Sequence, residues 1–302
     1  MIRSFAQLAE AAKSIEKKMK VAVVEAHDEH TMEAVCNAHR DGMIEAILIG
    51  REDEIRRIGA LLGEDLSAVE IIPTEDLEES LQTAVDCVRE GRADGIMKGK
   101  IETGQFMRAI VKKSNGLLKG GRVSLVGLYE HPGYPKLLAI TDQGMNTYPS
   151  LEEKKDLIVN GVEMLHALGI ECPKVACLCA VEKVNPKMPE TVDAYELKQM
   201  NERGEITGCV VEGPISFDLA ITKGAAVIKE YDSPVAGDAD LLLVPNITCG
   251  NALAKCMTDY SGAVTAGTIL GAKCPVILTS RSAPAKDKYY SIALAAYTSA
   301  NS

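Results

Sequence analysis

Cys274-Pro275-Val276-Ile277-Leu278-Thr279-Ser280-Arg281-Ser282-Ala283-Pro284-Ala285-Lys286-Asp287 is the stretch on which the reading of the fold turns. Its apolar run, Pro275–Thr279, reads as a buried parallel strand. Ser280-Arg281-Ser282 ends that strand, and Pro284 falls in the first turn of a helix running toward the C-terminus. A hydroxyl, a guanidinium and free backbone N–H groups then meet at the carboxyl end of a strand and the start of a helix. Open α/β sheets hold anions and ligands there. Asp287, six residues after Arg281, faces the same mouth from the first helical turn. The expectation is a phosphate binder with an adjacent carboxylate.

Outward from this stretch, short β-branched runs alternate with helical patterns. That rhythm predicts an α/β chain with a mainly parallel sheet. Strands are expected at 20–25, 46–49, 69–72, 95–97, 122–127, 137–141, 174–180, 208–212, 240–245 and 275–279. Ser150-Leu151-Glu152-Glu153 offers a capping box for one of the helices between them. Two strands in direct succession, near 122–128 and 136–141, are joined by Tyr129-Glu130-His131-Pro132-Gly133-Tyr134-Pro135, a hairpin signal that breaks the rhythm. An antiparallel insertion of this kind marks a second domain. The expected division is residues 1–130 with 266–302 as a discontinuous first domain and 131–265 as the second, with the interdomain cleft as the default site.

Composition narrows the class. The 302 residues are 46% hydrophobic and 25% charged, as in a globular protein large enough for a sizeable core. No apolar run approaches the ~20 residues that cross a bilayer, and Met1–Leu8 lacks a secretory signal, so a cytoplasmic location is expected. A net charge of −10 argues against nucleic acid and anionic membranes as partners, and zero Trp with three Phe leaves little for base stacking. The nine cysteines, an odd number set mostly in apolar segments, read as buried hydrophobes. Cys177-Leu178-Cys179 lacks companions at metal-ligand spacing, so no metal site is expected.

Four further stretches place polar residues after a strand. Met97-Lys98-Gly99-Lys100-Ile101-Glu102-Thr103 brings two cations, a Gly for a tight loop and a Thr that can cap the next helix. A solvated loop explains it about as well, and the phosphate-loop pattern of nucleotide-binding proteins is absent. Thr141-Asp142-Gln143-Gly144 supplies a carboxylate and a turn. In Glu212-Gly213-Pro214-Ile215-Ser216-Phe217-Asp218-Leu219-Ala220, Asp218 either points into a cleft or caps a helix. Pro245-Asn246-Ile247-Thr248-Cys249-Gly250-Asn251 can open a helix against a ligand.

In this order the segments resemble the phosphate acetyltransferase/phosphate butyryltransferase family, from about residue 90 onward. Glu212–Ala220 echoes the family's Asp-Gly-Glu-Ile-Gln-Phe-Asp-Ala-Ala, Pro245–Asn251 its Pro-Asp-Leu-Asn-x-Gly-Asn, and Ser280, Arg281 and Asp287 its Ser-Arg pair with a following Asp. The Met97-Lys98-Gly99-Lys100 loop departs from the Ser-Gly-Ala of acetyl-specific members and looks more like the butyryl branch.

The resemblance implies an isocitrate/isopropylmalate dehydrogenase-like two-domain fold, a homodimer or higher homo-oligomer, and reversible acyl transfer between CoA and inorganic phosphate. CoA is then a substrate, and neither cofactor nor metal is required. Arg281 is expected to hold phosphate, Ser280 to steady the oxyanion of the attacked carbonyl, and Asp287 to take the CoA thiol proton. Lys98, Lys100, Thr103, Asp142, Asp218, Asn246, Thr248, Gly250 and Asn251 are expected to bind substrate. Two other readings stand beside this one: a non-catalytic acyl-CoA or acyl-phosphate sensor, which needs the anion site but not the base, and a metal- and nicotinamide-dependent hydroxyacid dehydrogenase of the same fold, which would need clustered Asp ligands and a cofactor loop.

Overall fold

The computed structural model describes residues 1–301; Ser302, the last residue of the expected first domain, lies outside the described residues. Among the described residues there are eleven strands: β1 (Met19–Val24), β2 (Ile44–Gly50), β3 (Glu70–Pro73), β4 (Gly95–Lys98), β5 (Ser124–Glu130), β6 (Leu138–Thr141), β7 (Lys174–Leu178), β8 (Val210–Ile215), β9 (Leu241–Leu243), β10 (Val264–Leu270) and β11 (Val276–Ile277). Helices separate most of them, giving a mixed α/β fold with mostly parallel pairing. Ten of the strands fall on expected segments. The eleventh, β10, has the sequence Val-Thr-Ala-Gly-Thr-Ile-Leu, whose small residues and Gly267 blur the pattern. Gly267 is needed there, because a Cβ would collide with the Leu278 carbonyl of the neighbouring strand end.

The chain falls into two compact units. One comprises 6–123 and 266–301, the other 1–5 and 124–265. In the first unit the strand order is β3-β2-β1-β4-β11-β10, with every pair parallel except β10–β11. Val21 to Val24 of β1 are fully buried, the continuous apolar run of a strand covered on both faces. In the second unit the order is β5-β6-β9-β7-β8, parallel except for the β5–β6 hairpin. Strand β5 groups with 131–265 instead of with the residues before it, since Gly127, Leu128 and Tyr129 pair with Ile140, Ala139 and Leu138.

Local chemistry explains the element ends. Ser150 and Glu153 form the expected capping box of helix Leu151–Ala167, which buries Leu157, Ile158, Val162 and Leu165. Thr103 does not cap its helix; it is the first residue of helix Thr103–Val111, behind Glu102. Pro284 stands just outside helix Ala285–Ala300 instead of inside its first turn, with ψ 160°, and offers no side-chain cap. Parallel pairing puts the carboxyl ends of β1, β4 and β11 along one edge of the first unit. The ends of β6, β7, β8 and β9 share an edge of the second in the same way. No helix among the described residues is long and apolar enough to cross a membrane.

Candidate active site

In the first unit, the loops after β4 and β11 line an open cavity of about 520 Å³, bounded by Lys98, Ile101, Thr103, Ser280, Arg281 and Ser282. Neighbouring parallel strands bring these loops together: Val276 and Ile277 pair with Ile96 and Met97. Beyond β4 the chain stays zipped to the end of β1, with Gly99 N donating to Val24 O at 2.9 Å and Lys100 N to Glu25 O at 3.0 Å. Gly99 is required by this closeness, not by its dihedrals. A Cβ there would overlap the carbonyl oxygens of Glu25 and Val24. The strand-order reversal between β1 and β4 is the position where open α/β sheets leave room for a ligand.

The walls of this cavity are strongly cationic. Lys98 is only 1% exposed, and its Nζ reaches just the Gly99 carbonyl at 3.4 Å. Burial, with the charges of Lys288 and Arg281 alongside, pulls its ammonium down to about 8, against a smaller opposing pull from Asp28. Lys288 is also buried, donates to Thr279 Oγ1 at 3.1 Å, and is lowered by the same desolvation. Asp28 sits after β1 as the cap of helix Glu29–Arg40, accepting from Thr31 N at 2.9 Å. Arg281 is largely exposed and touches Glu102 at 3.5 Å, a loose pair that leaves the guanidinium available. Ser280 is exposed, with Oγ 3.1 Å from Ser282 Oγ.

Asp287 is buried in the first turn of helix Ala285–Ala300 and is not among the residues lining the cavity. Its backbone is well held: Ser291 Oγ donates to Asp287 O at 2.7 Å and accepts from Gly267 N at 2.9 Å. Lys100 is exposed and lies off the cavity wall. Lys288, Asp28 and Glu102 were not singled out from sequence. For Lys288 a signal exists: with Ser291, Ile292 and Ala295 it follows the helical spacing of a buried stripe, so a lysine there is charge placed inside the protein.

The remaining predicted residues belong to the second unit. Asp142 is buried and saturated: its carboxylate accepts from the backbone N–H groups of Leu125, Gly144 and Met145 and from the Asn146 side chain. These bonds organise the loop after β6 around its carboxylate. Asn246 caps helix Ile247–Lys255 through Cys249 N at 3.1 Å. Gly250 seats that helix on the Asp142 loop, for a Cβ would lie 2.5 Å from Asp142 O. Thr248 and Asn251 are exposed on the helix. Asp218 pairs with Lys229 at 3.0 Å, and its carboxyl is held low chiefly by the Ser216 hydroxyl and then by Lys229. Cys249, in the first turn of helix Ile247–Lys255, has its thiol raised by desolvation, contrary to an activated thiolate. Among the described residues no three His, Cys, Asp or Glu side chains cluster as a metal site.

Comparison with known proteins agrees with this arrangement. The family model described as "Phosphate acetyl/butaryl transferase" matches residues 74–296. The chain is 44% identical to the phosphate butyryltransferase of Clostridium acetobutylicum, covering 100% of both chains. It is 43% identical to the phosphate acetyltransferase of Thermotoga maritima, over 93% of this chain and 95% of that one. A crystal structure of a branched-chain phosphotransacylase from Enterococcus faecalis superposes with a TM-score of 0.84 at 30% identity, over 94% of this chain and 100% of the other. A 4-hydroxythreonine-4-phosphate dehydrogenase from Klebsiella pneumoniae has a TM-score of 0.60 at 12% identity over 96% of this chain and 100% of that one, a likeness of fold alone. With a cationic cavity built from the Ser280-Arg281 loop and a family match that spans it, the chain belongs to the phosphate acetyl/butyryltransferase family.

Proposed function

We propose that this protein transfers a short-chain acyl group reversibly between CoA and inorganic phosphate, with butyryl preferred to acetyl. The observation that carries the reading is the cavity that joins Ser280 and Arg281 to the buried Lys98. Three donors of this kind suit a phosphate dianion: a planar guanidinium fork, a hydroxyl and a desolvated ammonium. Family membership supplies the acyl chemistry that such an anion site serves.

In the direction of CoA release, a phosphate oxygen attacks the thioester carbonyl, the C–S bond breaks, and the phosphate proton ends on the CoA thiolate. Both substrates are bound together, and no acyl-enzyme forms. Arg281 holds phosphate, Ser280 donates to the developing oxyanion, and Asp287 relays the proton. Lys100, Thr103, Asp142, Asp218, Asn246, Thr248, Gly250 and Asn251 remain proposed substrate-binding residues. The butyryl preference rests on the Met97-Lys98-Gly99-Lys100 loop. An isocitrate/isopropylmalate dehydrogenase-like fold, a homodimer, a cytoplasmic location and independence from metals and redox cofactors belong to the same proposal.

The test is CoA release from butyryl-CoA, with and without phosphate, in chelator-treated buffer, with acetyl-CoA in parallel. Phosphate-dependent release faster with butyryl-CoA is the expected result. Release without phosphate points to thioester hydrolysis, and binding of CoA with no release points to a sensor. Arg281→Ala should raise the apparent KM for phosphate about tenfold, the lower end for one charge-assisted contact, because the guanidinium is largely exposed. An unchanged phosphate KM removes Arg281 from the anion site.

A further inference from the structure

We propose that Lys98 couples the binding of phosphate to the uptake of up to one proton: its side chain, buried in the cavity wall with no carboxylate at ion-pair distance, keeps its full charge in mildly alkaline solution only when the dianion enters. The inference rests on the anion-site reading above and assigns Lys98 a role of its own within it.

The geometry is unusual for a lysine. Lys98 is the last residue of β4, held at the strand's end because the following residues stay zipped to β1. Its ammonium makes one long hydrogen bond, to the next residue's carbonyl, where three donors ask for partners. Three charges from neighbouring segments act on it. Lys288 from helix Ala285–Ala300 and Arg281 from the loop after β11 repel the proton, and Asp28 from the loop after β1 attracts it. Asp28 acts on Lys288 as well, together with Asp287, and its side chain caps its own helix. Burial and the two cations together bring Lys98 down to about 8, so that near this pH the empty site holds it half charged. A phosphate dianion in the cavity reverses the balance by placing two negative charges beside Lys98 and Arg281. The proton comes from bulk buffer onto Lys98 Nζ, and no bond of the phosphate is broken.

Calorimetric titration of the full chain with inorganic phosphate, in two buffers of different ionisation heat, reads the proton directly. Above pH 8 the free ion is already mainly the dianion. Uptake of about half a proton is expected at pH 8 and nearly one at pH 9. Lys98→Arg, permanently charged, should bind phosphate without uptake at either pH, and Lys98→Met should bind about 10–100-fold more weakly, also without uptake. No uptake by the native chain, or the same uptake by Lys98→Arg, overturns the coupling. Should the variants misfold by circular dichroism, the Lys98 titration followed by ¹³Cε NMR in the native chain decides. Its midpoint should rise by about two pH units or more with phosphate, and an unmoved midpoint sinks the proposal. Phosphate-dependent CoA release without proton uptake discards the coupling and keeps the transferase. Uptake without CoA release keeps a proton-coupled anion site and discards the transferase.

Discussion

Asp287→Asn is expected to lower kcat by about 10²–10⁴-fold while leaving the apparent phosphate KM within about threefold, the signature of a lost proton-transfer group. Asn keeps the size of the side chain and an acceptor oxygen, and the backbone anchors of this turn, Ser291 to Asp287 O and Gly267 N to Ser291, do not involve the carboxylate. What Asn cannot do is take a proton from a thiol. Steady-state kinetics with acyl phosphate and CoA across pH tests this, since the acidic limb of the profile should vanish with the base. A melting temperature within about 3 °C of the native chain separates lost chemistry from lost fold. Near-native turnover would make Asp287 a helix-start residue and nothing more. The cavity itself would then have to supply the proton route, since Asp287 does not line it.

Lys98→Met should move activity and stability in opposite directions. Phosphate KM rises as argued above, yet the protein should melt about 2–12 °C higher at pH 7. The folded chain holds the Lys98 proton less tightly, near 8, than the unfolded chain does at its ordinary 10.5. Below about pH 8 both states are charged and the fold bears the full cost of the buried ammonium. As pH rises from 8 to 10.5 the folded state gives up its proton first, and the cost fades. Removing it gains about 1–3 kcal/mol at neutral pH, worth roughly 2–4 °C each in a chain of this size. Scanning calorimetry at pH 7 and 9.5 checks both parts. A variant that melts lower than the native chain at pH 7, or by the same difference at both pH values, contradicts the account. A gain in stability with a loss of anion binding is the pattern of a residue kept for function.

Gly99 and Gly267 show how tertiary constraint lies behind residues whose local patterns are ambiguous. Gly99 reads as loop punctuation and Gly267 as a break in a strand. Both are positions where another strand end comes too close for a Cβ, which only the folded pairing reveals.

The sequence by itself determined the α/β rhythm, ten of eleven strands, the capping box at Ser150 and the family motif of Ser280, Arg281 and Asp287. Those signals are local: periodicity, turn chemistry and side-chain oxygens within a few residues of the N–H groups they serve. Tertiary structure alone decided which polar residues meet. It joined Lys98 to Ser280 and Arg281 across more than half the chain, placed Lys288 behind them, and bound Asp142 into a loop through Leu125, Gly144, Met145 and Asn146. A carboxylate saturated by backbone and an ammonium left short of partners look alike in one dimension. Burial and the parallel pairing of distant strands set their chemistry apart.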